Sequence, residues 1–156
     1  MSEPSTVIEP IAPLLPHTRT MCWLDTLIEA SDEHLVAEAT PGLGHPFATP
    51  QGIAIWHGLE FMAQAVAAWA GWRARARGEA PKIGFLLGTR RYAFERPHIP
   101  LDRALRIHIH REFFADNGLG MFRCELKLDD ETIAHAALSV FEPPSADDFL
   151  KGIAPP

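Results

Sequence analysis

The sequence predicts an α+β domain: one long buried helix packed against, or wrapped by, an antiparallel sheet of about five to six strands. Two observations carry that expectation. From Ala54 to Gly71 the chain holds no Lys, Arg, Asp, Ser or Thr, and only His57, Glu60 and Gln64 interrupt an apolar run. A helix apolar on every side belongs in a core. Further on, Leu105, Ile107 and Ile109 alternate with Arg106, His108 and His110, the period of a strand with one buried and one wet face. At 156 residues, 47% of them hydrophobic, the chain has the length of one domain and can bury a core without staples.

In chain order, residues 1–13 are rich in Ser, Pro and Glu and are expected to fray. A turn-rich segment at 14–20 leads into strands near 21–30 and 34–40. The text PGLGHPFATPQG makes 41–52 a loop, and the long helix follows over 53–77. Four more strands are expected near 83–94, 104–114, 120–128 and 132–141. The PHIPLD turn, Asn117-Gly118 and Asp129-Asp130 separate them. The core then spans about 14–142, followed by a loosely attached Pro-rich tail at 143–156.

Composition excludes several function classes. Fourteen basic residues against twenty acidic ones give a net charge of −6, which opposes nucleic-acid phosphate. Cys22 and Cys124 lie too far apart for a metal cluster or a disulfide framework, so free buried thiols in a reducing, cytoplasmic compartment are expected. The opening MSEPSTVIEP has neither the basic nor the apolar region of a secretory leader. A membrane-spanning helix is disfavoured because Glu60 would sit in mid-bilayer, with strand-rich polar chain close on both sides. No nucleophile elbow, zinc-protease helix, phosphate loop or dinucleotide fingerprint occurs.

His57, Glu60 and Gln64 are spaced i, i+3, i+7 and share one stripe of the helix. Two readings are open. Glu60 and Gln64 can serve as hydrogen-bonding partners for backbone at a sheet edge, or Glu60 can be a carboxyl set in an apolar cavity for proton transfer. A second proton carrier would come from His45, in the loop before the helix, since histidine titrates near neutrality. His57, one turn before Glu60, competes for the same role. His108 and His110 have a chelating i, i+2 spacing, but they share a polar face with Arg106 and lack a third ligand. A solvated face is expected there, and no metal.

The text GHPFATPQGIAIWHGLEFMAQAVA resembles the hotdog-fold 3-hydroxyacyl-(acyl carrier protein) dehydratases, whose signature is G-H-F-P followed by a long helix with an acid and A-x-M-A-Q-A. LLPHTRTMCWLDTLIEA is similar to that family's opening L-P-H-R-x-P-x-L-L-x-D-x-V. GTRRYAFERPHIPLDRALRIHIH is similar to its strand, R-P-V-x-P-G-D turn and next strand. The resemblance covers about 14–141, and the W-H-G-L-E-F-M-A-Q text most resembles the dehydratase-like proteins of aryl polyene gene clusters. The chain departs from the pattern in reading G-H-P-F, in a His45-to-Glu60 spacing one residue longer than usual, and in Ala54-Ile55 where Pro-Gly usually opens the helix.

The resemblance implies a hotdog fold and loss of water from a 3-hydroxyacyl thioester to give the trans-2-enoyl thioester. Glu60 would be the catalytic acid, His45 the catalytic histidine, and Gln64 or His57 an orienting group. Phe47, Trp56 and Phe61 would line the acyl pocket. No cofactor is implied beyond the substrate's own 4′-phosphopantetheine arm on an acyl carrier protein. A homodimer, or a heterodimer with a paralogous hotdog subunit, is implied, with histidine and acid from different subunits. An acyl-CoA thioesterase and a degenerate subunit supporting an active paralogue remain as alternatives.

Charge is segregated along the chain. From Arg73 to Arg111 there are ten basic residues against Glu79, Glu95 and Asp102. Arg73, Arg75, Arg77, Arg90, Arg91 and Arg96 are therefore expected to dock an acidic carrier.

Overall fold

The structure, a computed structural model, describes residues 5–82 and 84–143. Its strands are β1 (Ser5–Pro10), β2 (Thr26–Ala30), β3 (His34–Ala39), β4 (Ala48–Thr49), β5 (Gly52–Ala54), β6 (Phe85–Phe94), β7 (His98–Ile99), β8 (Leu105–Phe114), β9 (Leu119–Leu128) and β10 (Glu131–Phe141), with one helix, α1 (Gly58–Ala76), between β5 and β6. Seven strands form one antiparallel sheet in the order β1-β2-β3-β8-β9-β10-β6, and β4-β5-β7 form a small second sheet.

Alternation sets the registers. Leu105, Ile107 and Ile109 of β8 are buried and oppose Ala39, Ala37 and Leu35 of β3. A one-residue slip would turn that whole set to solvent. The covered face packs on α1 through Phe61, Met62, Ala65, Ala68 and Trp69, all essentially inaccessible. Trp69 meets Phe122 and Phe114 edge-on, with ring centres 5.1 and 5.5 Å apart. No described helix is long and apolar enough to cross a membrane. Cys22 and Cys124 are both free thiols, and burial pushes both thiols up from their ordinary value.

Four expectations change. The main sheet has seven strands rather than five or six, because β1, placed in a region expected to fray, pairs with β2 and is tied down by a 2.6 Å ion pair from Glu9 to Arg75. The strand expected from residue 21 starts at Thr26. The Trp23 N–H and the Met21 carbonyl bond the Gln64 side chain instead of a neighbouring strand. The helix begins at Gly58 rather than at residue 53: Gly52–Ala54 pair with β4 and β7, and Ile55–His57 form a 3-10 turn. The strand expected from 83 is described from Phe85, while Ile83 and the tail from 144 lie outside the described residues.

Two glycines are required by close approach. A Cβ on Gly71 would overlap the Leu14 carbonyl, and one on Gly58 would overlap the Tyr92 hydroxyl. Gly71 thus seats the segment 11–23 across the helix. Gly58 lets Tyr92 donate to the Ile55 carbonyl just before α1. Tyr92 is the only tyrosine of the chain, and burial raises its pKa to about 12.

Candidate active site

Glu60 lies in the first turn of α1, half-exposed rather than buried. Gln64, one turn later and fully buried, donates from Nε2 to Glu60 Oε1 at 2.9 Å and to the Met21 carbonyl at 2.8 Å. Its Oε1 accepts the Trp23 N–H at 2.9 Å. All the strong hydrogen-bonding capacity of the amide is used but for spare acceptor sites, so Gln64 cannot turn and Glu60 Oε1 is fixed.

Glu60 lines a groove of about 140 Å³. Ala63, Ala67 and Ala70 continue its floor along the helix at i, i+3 and i+4 spacings, and their small side chains leave room above α1. Phe85, Val140 and Phe141 line it from β6 and β10, together with Trp69 of α1, Phe114 of β8 and Phe122 of β9. The groove is apolar except for Glu60, His17, Lys82 and Glu142.

His17 is the residue that sequence reasoning missed. Its Nε2 stands 3.8 Å from Glu60 Oε1, and both side chains line the groove. The segment carrying it is anchored on either side, by Leu14 against Gly71 and by Met21 and Trp23 on Gln64. A single histidine in a turn-rich stretch has no periodicity to betray it. The quoted opening text was the one signal available.

His45 does not line that groove. Its ring packs edge-on against Trp23 with centres 4.4 Å apart and stacks at 5.8 Å on Phe61. Burial, with His57 nearby, holds it below the ordinary histidine value. The Phe47 N–H donates to Nδ1 at 3.1 Å, and Nε2 is buried without a partner. A neutral ring accepting at Nδ1 carries its proton on Nε2, so in this arrangement His45 offers an N–H and not a lone pair. His45 therefore packs on Trp23 and Phe61 and is not among the residues that line the groove with Glu60.

The remaining expected residues scatter. His57 stacks on Phe47 at 4.1 Å, on the His45 side. Phe61 is core, and Phe47 and Trp56 are largely exposed, so none of the three lines the groove. Arg73 lies 4.8 Å over the Trp69 ring and 5.8 Å from Phe114, Arg75 pairs with Glu9, and Arg77 pairs with Glu79 at 3.5 Å. Arg90 and Arg91 are exposed on the edge strand β6, and Arg96 lies in the turn after it. His108 and His110 sit on the outer sheet face with His34, ring centres 5.9 and 6.4 Å away.

A family model described as ApeP dehydratase matches residues 9–151. Among solved structures, the chain is similar to a chain of the dehydratase heterocomplex ApeI:P from Xenorhabdus doucetiae, at 26% identity and a TM-score of 0.86 over 94% of this chain and 99% of that one. It is similar in fold to Cj0977, a sigma28-regulated virulence protein of Campylobacter jejuni, at 17% identity and a TM-score of 0.60 over 86% and 88% of the two chains. A hypothetical thioesterase of Streptococcus pneumoniae, solved with coenzyme A, is similar at 11% identity and a TM-score of 0.57 over 74% and 83%. No curated protein matches the chain.

Proposed function

The chain belongs to the ApeP-like dehydratase family, and from that premise we propose that it dehydrates a carrier-bound 3-hydroxyacyl thioester to the trans-2-enoyl thioester in aryl polyene synthesis. The observation that carries this reading is Glu60, held by Gln64 in the lining of a largely apolar groove.

The chemistry suits that placement. The thioester acidifies the C2 hydrogen, and a base removes it as the C2–C3 double bond forms and the C3–O bond breaks. Hydroxide is a poor leaving group, so Glu60 delivers a proton to it and water departs. Gln64 donates to Oε1, which leaves Oε2 to carry that proton. The Gly58 N–H already bonds the Ile55 carbonyl, so the charge that builds on the thioester oxygen is left to the N–H groups beyond it in the first turn of α1. The acyl chain would run along Ala63, Ala67 and Ala70.

The working unit in this proposal is a heterodimer with a paralogous hotdog subunit. Support comes from the heterocomplex to which the chain is similar and from β6, the terminal strand of the described sheet, which exposes Leu86, Leu87 and Phe94. His45, turned away from the Glu60 groove, is assigned to the groove of the paired subunit. Carrier docking is assigned chiefly to Arg90, Arg91 and Arg96, because Arg73 packs on aromatic rings and Arg75 and Arg77 are already paired.

The test is to supply the complex with a 3-hydroxyacyl thioester and follow enoyl thioester absorbance beside a thiol reagent. Growth of the enoyl band without free thiol is expected. Free thiol instead would make the protein a thioesterase. The position of His45 outside the groove favours one second reading, a subunit that supports a catalytic paralogue. In that case Glu60→Gln leaves the turnover of the complex unchanged. Reversing Arg90, Arg91 and Arg96 to Glu, with assembly checked by size-exclusion chromatography, should raise KM several-fold for carrier-bound substrate and leave a short N-acetylcysteamine thioester unaffected. Added salt should mimic that change, as screening confines surface charges to about 8 Å at physiological strength.

A further inference from the structure

We propose that Tyr92 is a positioning residue: its hydroxyl, aimed by a bulge in β6, holds the turn from which α1 starts and so sets the place of Glu60 and of the N–H groups around it. The inference rests on the dehydratase reading and names a residue that this reading does not use.

Three observations converge on the contact. β6 changes register against β10 at this point: His135 opposes Ala93 and Ala137 opposes Arg90, so Arg91 and Tyr92 together stand opposite the single residue Ala136. Arg91 takes a φ of 55° there, a conformation that is costly for a residue with a side chain. A bulge re-aims a side chain, and Tyr92 is the one residue of 86–94 that is partly covered rather than exposed.

The phenol ends on the Ile55 carbonyl, which also accepts the Gly58 N–H. The Ile55 N–H donates to the Pro97 carbonyl at 2.9 Å. Tyr92 and Pro97 thus grip Ile55 at both its polar groups. Gly58 supplies the space, since a Cβ there would overlap the Tyr92 hydroxyl.

The effect reaches the chemistry over a short distance. Gly58 opens α1, and Glu60 follows two residues later. A shift of the turn would carry the carboxyl and the first-turn N–H groups together away from the substrate, and a misplacement of about 1 Å can cost about 10²-fold in rate. Gln64 fixes the Glu60 carboxyl from one turn beyond it, and Tyr92 fixes the turn before it. Burial raises the phenol to about 12, so it stays a donor around neutral pH and is not itself a proton carrier.

Two measurements on the full-length chain, assembled with its paralogous subunit, test the proposal. In steady-state kinetics Tyr92→Phe removes only the hydroxyl; kcat should fall about 10-fold or more with KM changed less than about twofold, and the complex should elute as wild type. Gly58→Ala should lower kcat as well. The double variant should be no worse than Gly58→Ala alone, because loss of the hydroxyl frees the space that the added methyl takes. A kcat of Tyr92→Phe within about threefold of wild type, or losses that multiply in the double variant, would overturn the proposal. Hydrogen exchange read by mass spectrometry needs no substrate. In Tyr92→Phe the peptide carrying Ile55 and Gly58 should exchange about fivefold faster or more, with β8 and β9 unchanged. Unchanged exchange at the turn removes the tie, and faster exchange throughout the sheet makes the hydroxyl a matter of general stability; either result overturns the positioning role. If the wild-type complex forms no enoyl thioester while exchange quickens only at the turn, the dehydratase reading falls and the tie between β6 and α1 remains.

Discussion

His17 and His45 make opposite use of the same helix. His45 is close to Glu60 in sequence, yet it sits among Trp23, Phe47 and Phe61 with its base lone pair occupied. His17 is 43 residues from Glu60, yet it faces the carboxylate across 3.8 Å of groove. The first is surrounded by ring faces and the second by space for a ligand. Proximity along the chain thus marks the less available imidazole.

The largest expected effect tests the groove side. Glu60→Gln should lower kcat/KM by about 10²–10⁴-fold while the circular dichroism spectrum is kept, since the amide matches the carboxyl in shape but cannot deliver a proton. Retention of more than half the turnover of the complex would take the acid out of this chain.

Next comes the clamp between the two sides. Gln64→Leu strips the partner from the buried Trp23 N–H, a loss of about 1–3 kcal/mol read as a lower urea midpoint. The variant should also lose turnover, because Glu60 Oε1 is no longer fixed. A stable variant with full activity would show that the clamp is incidental.

The aromatic side should respond less. His45→Gln is expected to lower turnover less than tenfold and His57→Ala less still, the latter chiefly through its stacking on Phe47. A loss at His45 as large as that at Glu60 would merge the two regions into one catalytic unit.

The smallest effect is on pH dependence. Burial, the largest cause in each case, holds His34, His45 and His108 below the ordinary value of 6.5. As pH falls below 6.5 the unfolded chain takes up protons first, so stability present above that value is lost as pH drops through the folded values. Melting temperature should therefore decline from pH 6.5 toward pH 5. The slope should be shallower in His45→Gln. A melting temperature that rises on acidification in this range contradicts the assignment.

The sequence by itself determined the helix, the strand faces and the Glu60–Gln64 pair, because each is a matter of period. Apolar residues without a break over Ala54–Gly71 require burial, alternation in β8 fixes which residues face α1, and i, i+4 spacing puts Gln64 beside Glu60. Where α1 starts, how β1 is held and which histidine meets the acid were decided only in the tertiary structure. Gly52–Ala54 become a strand because His98–Ile99 lie alongside. Ser5–Pro10 pair with β2, and Glu9 meets Arg75. His17 reaches Glu60 because Gly71 admits the Leu14 carbonyl and Gln64 captures Met21 and Trp23. Each of these contacts joins residues well beyond one turn or hairpin apart in the chain. Local propensity carries no information about such pairs, since their free energy exists only once the helix and the chain crossing it have come together.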